Sequence, residues 1–134
     1  MTPSSDPAPP LPAPLVAIVD DDPPFLDAML GLMRALGWRS AGFASAESFL
    51  ASPARAEAAC IVSDLQMPGM DGLALLSRLA RDGGAAPVIL VTARTEPRLE
   101  DEARARGALC LLRKPVAPEA LEACLARAMG AGPG

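Results

Sequence analysis

DLQMPGMDG, from Asp64 to Gly72, follows the short apolar run Cys60, Ile61, Val62 and puts a carboxylate where that run ends. Ser63 and Asp64 leave the predicted strand, and Pro68, Gly69 and Gly72 forbid both its continuation and an immediate helix. The acid therefore sits at the lip of a sheet, on a loop, where a carboxylate is placed for chemistry. Three other segments share this grammar. Leu15 to Val19 runs into Asp20, Asp21 and Asp22; Val88 to Val91 into Thr92; Leu109 to Leu112 into Arg113 and Lys114. Helical segments alternate with these buried strands, which implies a parallel sheet, and such sheets bind ligands at the carboxyl ends of their strands. Acids, a hydroxyl and an ammonium are expected to converge on one crevice.

The lysine narrows the chemistry. Among 134 residues there are twelve Lys and Arg together, of which only Lys114 is lysine. Arginine is a planar fork, whereas lysine is a compact charge on a flexible stem that suits a single phosphoryl oxygen or carboxylate. A chance surface lysine is the plainer explanation, but the position between an apolar strand and Pro115 favours a site.

Composition bounds the rest. The length suits one domain, able to bury roughly two thirds of its unfolded surface. A net charge of −4 argues against a surface that tracks nucleic-acid phosphates. Cys60, Cys110 and Cys124 are odd in number and lie in apolar patterns, which suits buried thiols in a reducing compartment and makes the cytoplasm the expected location. No signal-peptide pattern opens the sequence, and no run approaches the roughly 18 apolar residues of a membrane span. Residues 1–14 hold six prolines and are expected to form a mobile, partly polyproline tail; PPLP at 9–12 could dock in an aromatic groove, though composition alone explains it. GAGPG at 130–134 reads as a flexible end with no output domain attached, which points to a stand-alone unit.

Between the tails the pattern predicts five strands and five helices. Asp22 is expected to cap a first helix that tolerates Pro23 and Pro24 in its opening turn and turns Phe25, Met29, Met33 and Leu36 to one face; Gly37 stops it. Trp38 to Ala44 reads as a second strand, and Ser45 as the cap of a short helix with Phe49 and Leu50. Asp71 should cap a helix from Gly72 to about Arg81 with Leu76, Leu79 and Ala80 inward, ended by Gly83 and Gly84. Residues 96–106 suit a polar helix anchored only by Leu99, Ala103 and Ala105, with Glu100 to Arg104 and Glu102 to Arg106 at helical spacing. Its plain reading is a solvated face; weak anchoring would also suit a mobile element used by partners. The last helix, Ala117 to Met129, should bury Leu121, Leu125 and Ala128.

IVDDD, DLQMPGMDG, VILVTA and LLRKPV together resemble the receiver domain of bacterial two-component response regulators, in order and spacing, from Leu15 to about Met129. The resemblance implies a doubly wound, flavodoxin-like (βα)5 α/β fold with a five-stranded parallel sheet of order 2-1-3-4-5 over residues 15–129. It implies that Asp64 accepts a phosphoryl group from a phosphohistidine on a sensor histidine kinase or phosphotransfer protein. Asp21 and Asp64 would ligate Mg²⁺ with the backbone carbonyl of Gln66, and Asp20 would act mainly behind them. Lys114 would pair with a phosphoryl oxygen, and Thr92 would donate its hydroxyl to another. Such a protein catalyses only its own phosphoryl transfer and dephosphorylation, and acts through an unnamed downstream protein or a phosphorylation-dependent homodimer, without membrane or direct nucleic-acid contact. The alternative within the family is the receiver portion of a longer DNA-binding regulator.

Absences point the same way. There is no histidine, so His-based triads, His-ligated zinc and a phosphohistidine donor role are excluded. No glycine-rich nucleotide loop occurs. The rival enzyme class is a haloacid-dehalogenase-type phosphatase, with Asp20 to Asp22 as its D-x-D, Thr92 and Lys114. That family needs further metal-binding acids after its lysine, where only Glu119 and Glu122 follow, and it leaves the Asp64 loop unexplained; turnover of a phosphate ester would discriminate. A purely structural interaction domain would leave the crowded acids without a reason. The chain departs from the usual receiver pattern at Leu111, three residues before the lysine where an aromatic is common, and at Val116, where Phe is usual. Gln66 and Arg94 lie where family members tune hydrolysis of the acyl phosphate. The switch is therefore expected to run through Thr92, the loop 93–95 and the helix after it.

Overall fold

The computed structural model describes residues 13–130. The tails expected at 1–14 and 130–134 fall outside it apart from Ala13, Pro14 and Gly130. The elements are β1 (Leu15–Val19), α1 (Pro23–Ala35), β2 (Arg39–Phe43), α2 (Ala46–Leu50), α3 (Ala54–Glu57), β3 (Ala58–Asp64), α4 (Gly72–Arg81), β4 (Val88–Thr92), α5 (Arg98–Ala105), β5 (Cys110–Arg113) and α6 (Pro118–Met129). The five strands are parallel in the order β2-β1-β3-β4-β5, as expected.

Every residue of β1 and β4 is buried because the sheet is covered on both sides. Strand alternation sorts the core into two layers. On one face Ala17, Val19, Ile61, Val88 and Leu90 meet Phe49 of α2, Leu75 and Leu79 of α4, and Leu99 and Ala103 of α5. On the other, Val16, Ile18, Val62, Ile89 and Val91 meet Met29 and Met33 of α1 and Leu121 and Leu125 of α6. Removing one fully buried leucine such as Leu75 or Leu121 from such a layer costs about 2–5 kcal/mol. The three cysteines are free and buried in the second layer; burial pushes the Cys60 thiol up to about 12, so it packs as a small neutral hydrophobe.

Local chemistry departs from the sequence expectations in small ways. The four-residue α3 adds a sixth helix among the described residues, started where Ser52 Oγ accepts the Ala54 N–H at 3.1 Å. Asp22 does occupy the cap position of α1, but its side chain makes no capping bond; its own N–H donates to Asp20 Oδ1 at 2.8 Å. In α4 Leu75, not Ala80, completes the inward face, because 75, 76 and 79 share one side of a 3.6-residue turn and Ala80 falls past its edge. Ala105 is likewise exposed, which leaves Leu99 and Ala103 as the buried anchors of α5. Ser45 and Asp71 cap α2 and α4 as expected, accepting from Ser48 and Ala74.

Candidate functional site

Parallel register delivers the site residues together. Val19 pairs with Ser63, so the residues that follow, Asp20 and Asp64, emerge side by side at the carboxyl ends of β1 and β3. Thr92 pairs with Arg113 at the ends of β4 and β5, and the Lys114 N–H donates to the Thr92 carbonyl at 2.8 Å. Asp20, Asp21 and Asp64 each offer a carboxylate oxygen, all within 4.8 Å of one another. Lys114 Nζ reaches into that cluster, 3.1 Å from Asp20 Oδ2 and 3.5 Å from Asp64 Oδ2. The sequence-predicted acids and the ammonium are thus one constellation.

Burial tunes the acids differently. Asp20 and Asp64 are buried at 1% and 8% exposure, whereas Asp21 faces solvent. The Asp64 carboxyl is held above its usual 3.8, first by burial and then by the neighbouring Asp20 charge. Lys114 and the Gln66 N–H, 3.4 Å from Asp64 Oδ1, oppose that rise without cancelling it. Gln66 itself is exposed, two residues along the loop. Thr92 is fully buried, and its Oγ1 accepts the Arg94 N–H at 3.0 Å. Among the described residues no buried polar side-chain atom lacks a partner, so this concentration of charge is internally satisfied.

Three supports of the site carry no sequence signal of their own. The Lys114 ammonium lies 4.0 Å from the centre of the Phe25 ring, a cation–π contact that fixes the stem from the α1 side. Phe25 also lines an open, mostly apolar cavity of about 510 Å³ beside the site, with Met29, Leu32, Lys114 and Val116. Glu47 of α2 reaches the loop after Asp64 and accepts the Met70 N–H at 3.0 Å. Gly69 has φ +71°, a backbone shape that favours glycine, and a Cβ there would sit 2.7 Å from Glu47 Oε2 and push that carboxylate aside. Gly72 is needed for space: a Cβ would stand 2.4 Å from the carbonyl oxygen of Asp64. The third support is Arg113, whose guanidinium bridges two carbonyls of the β4–α5 loop.

Comparison with known proteins decides the family. The model of the response regulator receiver domain matches residues 16–126, most of the chain. The chain belongs to the receiver-domain family. Among curated proteins this receiver is similar to the transcriptional regulatory protein FixJ of Bradyrhizobium diazoefficiens, at 31% identity over 85% of the chain and 56% of FixJ. It is also similar to the C4-dicarboxylate transport transcriptional regulatory protein DctD of Rhizobium meliloti, at 36% identity over 81% of the chain and 24% of DctD. The chain therefore spans about half the length, or less, of these relatives. Among solved structures, FixJ-N superposes with a TM-score of 0.80 at 29% identity, covering 90% of this receiver and 96% of that chain. Vibrio cholerae chemotaxis protein CheY4 does so at 0.78 and 27%, covering 87% and 99%. The receiver is a signalling domain of two-component systems, and among its described residues no helix is long and apolar enough to cross a membrane.

Proposed function

We propose that Asp64 is the phosphoacceptor of a phosphorelay, taking its phosphoryl group from a phosphohistidine on a sensor kinase or phosphotransfer protein. A carboxylate oxygen of Asp64 attacks phosphorus, the P–O bond forms as the P–N bond breaks, and the electron pair returns to the imidazole nitrogen. The product is an acyl phosphate. An anion is a poor nucleophile toward an anionic phosphoryl group, so charge must be neutralised at the site. One observation carries the reading: Lys114 Nζ stands 3.1 and 3.5 Å from two carboxylates in a three-acid pocket at the strand ends. An ammonium so placed can leave a carboxylate for a phosphoryl oxygen without travelling. Thr92, whose hydroxyl proton is uncommitted while Oγ1 accepts from Arg94, donates to a second phosphoryl oxygen. Gln66 and Arg94, two residues after the acceptor and the hydroxyl, hold the positions where receivers tune hydrolysis of the acyl phosphate.

The donor set suits Mg²⁺: three carboxylates within 4.8 Å are hard oxygen ligands with no sulfur or imidazole among them. Asp21, Asp64 and the Gln66 carbonyl would hold the ion, with Asp20 supporting from behind. When bound, it supplies charge neutralisation for the incoming phosphoryl oxygens. We place the protein, a receiver over residues 15–129, in the cytoplasm, consistent with its three free thiols. It turns over no other substrate and acts through a downstream protein or a homodimer formed on phosphorylation. The length of the relatives favours a second reading, in which this receiver controls a longer regulator with a DNA-binding output.

The test is intact mass after incubation with a small phosphodonor such as acetyl phosphate and Mg²⁺. One phosphoryl group is expected, and none on Asp64→Asn. Undiminished labelling of that variant refutes the assignment, and steady hydrolysis of a phosphate ester would favour the phosphatase instead.

A further inference from the structure

Arg113 and Thr92 are cross-strand partners at the ends of β5 and β4, and strand alternation sends both side chains to the face that α5 covers. From there the Arg113 guanidinium makes two bonds to the loop between β4 and α5. Nη1 donates to the Arg94 carbonyl at 2.9 Å and Nη2 to the Glu96 carbonyl at 3.1 Å. Among the described residues, the other bonds of that loop are local. The N-cap of α5 is Pro97, with no side-chain cap, and the Glu96 carbonyl that Arg113 grips also accepts the Leu99 N–H, at 3.2 Å, in the first turn of the helix. The Arg94 backbone is clamped from both sides, its N–H on Thr92 Oγ1 at 3.0 Å and its carbonyl on Arg113. The Arg94 side chain is folded onto Glu96 and does not compete for either bond.

We propose that Arg113 is a positioning residue, a latch that ties the β4–α5 loop and the start of α5 to the strand end that carries Lys114. This rests on the reading of Asp64 as phosphoacceptor and of Thr92 as the hydroxyl that answers to it. Any movement of Thr92 Oγ1 toward Asp64 pulls on the Arg94 N–H. Arg113 is anchored through the β4–β5 ladder and cannot follow, so its bonds to Arg94 and Glu96 lengthen or break. The start of α5 is released with them. A planar fork with fixed N–H directions can hold two carbonyls at once; an ammonium at the same place has one centre and a shorter reach. The latch sits two residues from Leu111, where the usual aromatic is missing, and gives this chain a polar connection between the site and α5.

The experiment is amide hydrogen exchange on the whole chain, comparing wild type, Arg113→Met and Arg113→Lys, each with and without beryllofluoride and Mg²⁺. Methionine keeps an apolar stem of similar length, so the variant is expected to fold, with β1 and β3 amides as protected as in wild type. Without beryllofluoride, Arg113→Met should speed exchange at Leu99 and Glu100 roughly tenfold, the scale expected for losing hydrogen bonds from a charged donor at a half-buried site. Arg113→Lys should restore part of that protection. Beryllofluoride should loosen residues 94–100 in wild type and add little in Arg113→Met. Unchanged exchange at Leu99 and Glu100 in Arg113→Met overturns the latch, as does loosening spread evenly over the sheet, or a wild-type response to beryllofluoride in that variant. Failure of the phosphoacceptor reading would show separately, as absence of acyl phosphate on wild-type Asp64, while the exchange comparison without beryllofluoride still decides whether Arg113 holds the loop.

Discussion

Replacing Asp64 by Asn in the metal-free protein should make it more stable, and the pocket geometry sets the size of the effect. At an effective dielectric constant of about 20, the Lys114–Asp64 attraction at 3.5 Å is about 5 kcal/mol. Repulsion from Asp20, whose oxygen lies within 4.8 Å, is at least about 3.5 kcal/mol. Asp21 adds a smaller repulsion because solvent screens it. Attraction and repulsion nearly cancel, so the net effect is the desolvation of the Asp64 carboxylate, the same cause that ranks first in lifting its pKa. Relieving it should stabilise the fold by about 2 kcal/mol, or about 6–8 °C in melting temperature. Since the folded pKa is raised above the usual 3.8, native Asp64 holds its proton where the unfolded chain has lost it. Its destabilising effect is full above the folded pKa and fades as pH falls toward 3.8. Urea unfolding in EDTA at low salt, from pH 7 down to pH 4, measures this directly. The variant's advantage should shrink with acid, and millimolar Mg²⁺ should favour wild type and reduce or reverse it. A variant no more stable than wild type at pH 7, or an advantage that grows toward pH 4, would show that the Asp64 carboxylate does not strain the metal-free pocket.

Other substitutions test single contacts. Asp21→Asn should weaken the stabilisation by Mg²⁺, which reaches about 2.7 kcal/mol for wild type at a hundredfold excess over Kd, as read from melting curves across a titration. Phe25→Leu should remove the cation–π contact and cost about 1 kcal/mol in urea unfolding, with slower phosphorylation of Asp64 from a small donor as Lys114 loses its support. Glu47→Ala should lose the Met70 bond, speed amide exchange at Met70 and leave the sheet unchanged, at a cost of about 1 kcal/mol. Gly72→Ala would drive a methyl group against the Asp64 carbonyl and should destabilise by about 3 kcal/mol; an unshifted melting curve would show that the loop yields freely. Thr92→Ala should uncouple the loop from beryllofluoride, whereas Leu111→Ala, at a half-buried side chain, should lower stability and leave that coupling intact in the same exchange experiment.

What could be read in the sequence is what the backbone carries by itself. Strands covered on both faces appear as unbroken apolar runs, and the residue that ends each run lands at the same edge of a parallel sheet, so Asp20, Asp64, Thr92 and Lys114 were legible. The supports were not, because their partners are backbone groups or rings far along the chain. Glu47 binds an N–H 23 residues away, and Arg113 binds carbonyls 19 and 17 residues before it. Nothing in the local pattern of either residue distinguishes it from a solvated charge. Ala80 and Ala105 were misassigned because alanine at the border of an amphipathic stripe fits either side, and only the neighbouring leucines decide which way the helix turns.

Strand β5 is four residues long, and the arginine that ends it and the lysine that follows face opposite sides of the sheet, Arg113 toward α5 and Lys114 toward the acids. A slip of the strand by one position, with Arg113 carried to the place of Lys114, would exchange those destinations. The bulky fork would then be aimed at the acid pocket and the lysine displaced from it, with charge and composition almost unaltered. The turn before the strand, where Ala108 is buried in the α5 layer and Leu109 is half-buried while Gly107 is exposed, therefore does more than reverse the chain: it keeps the arginine and the lysine on their own sides of the sheet.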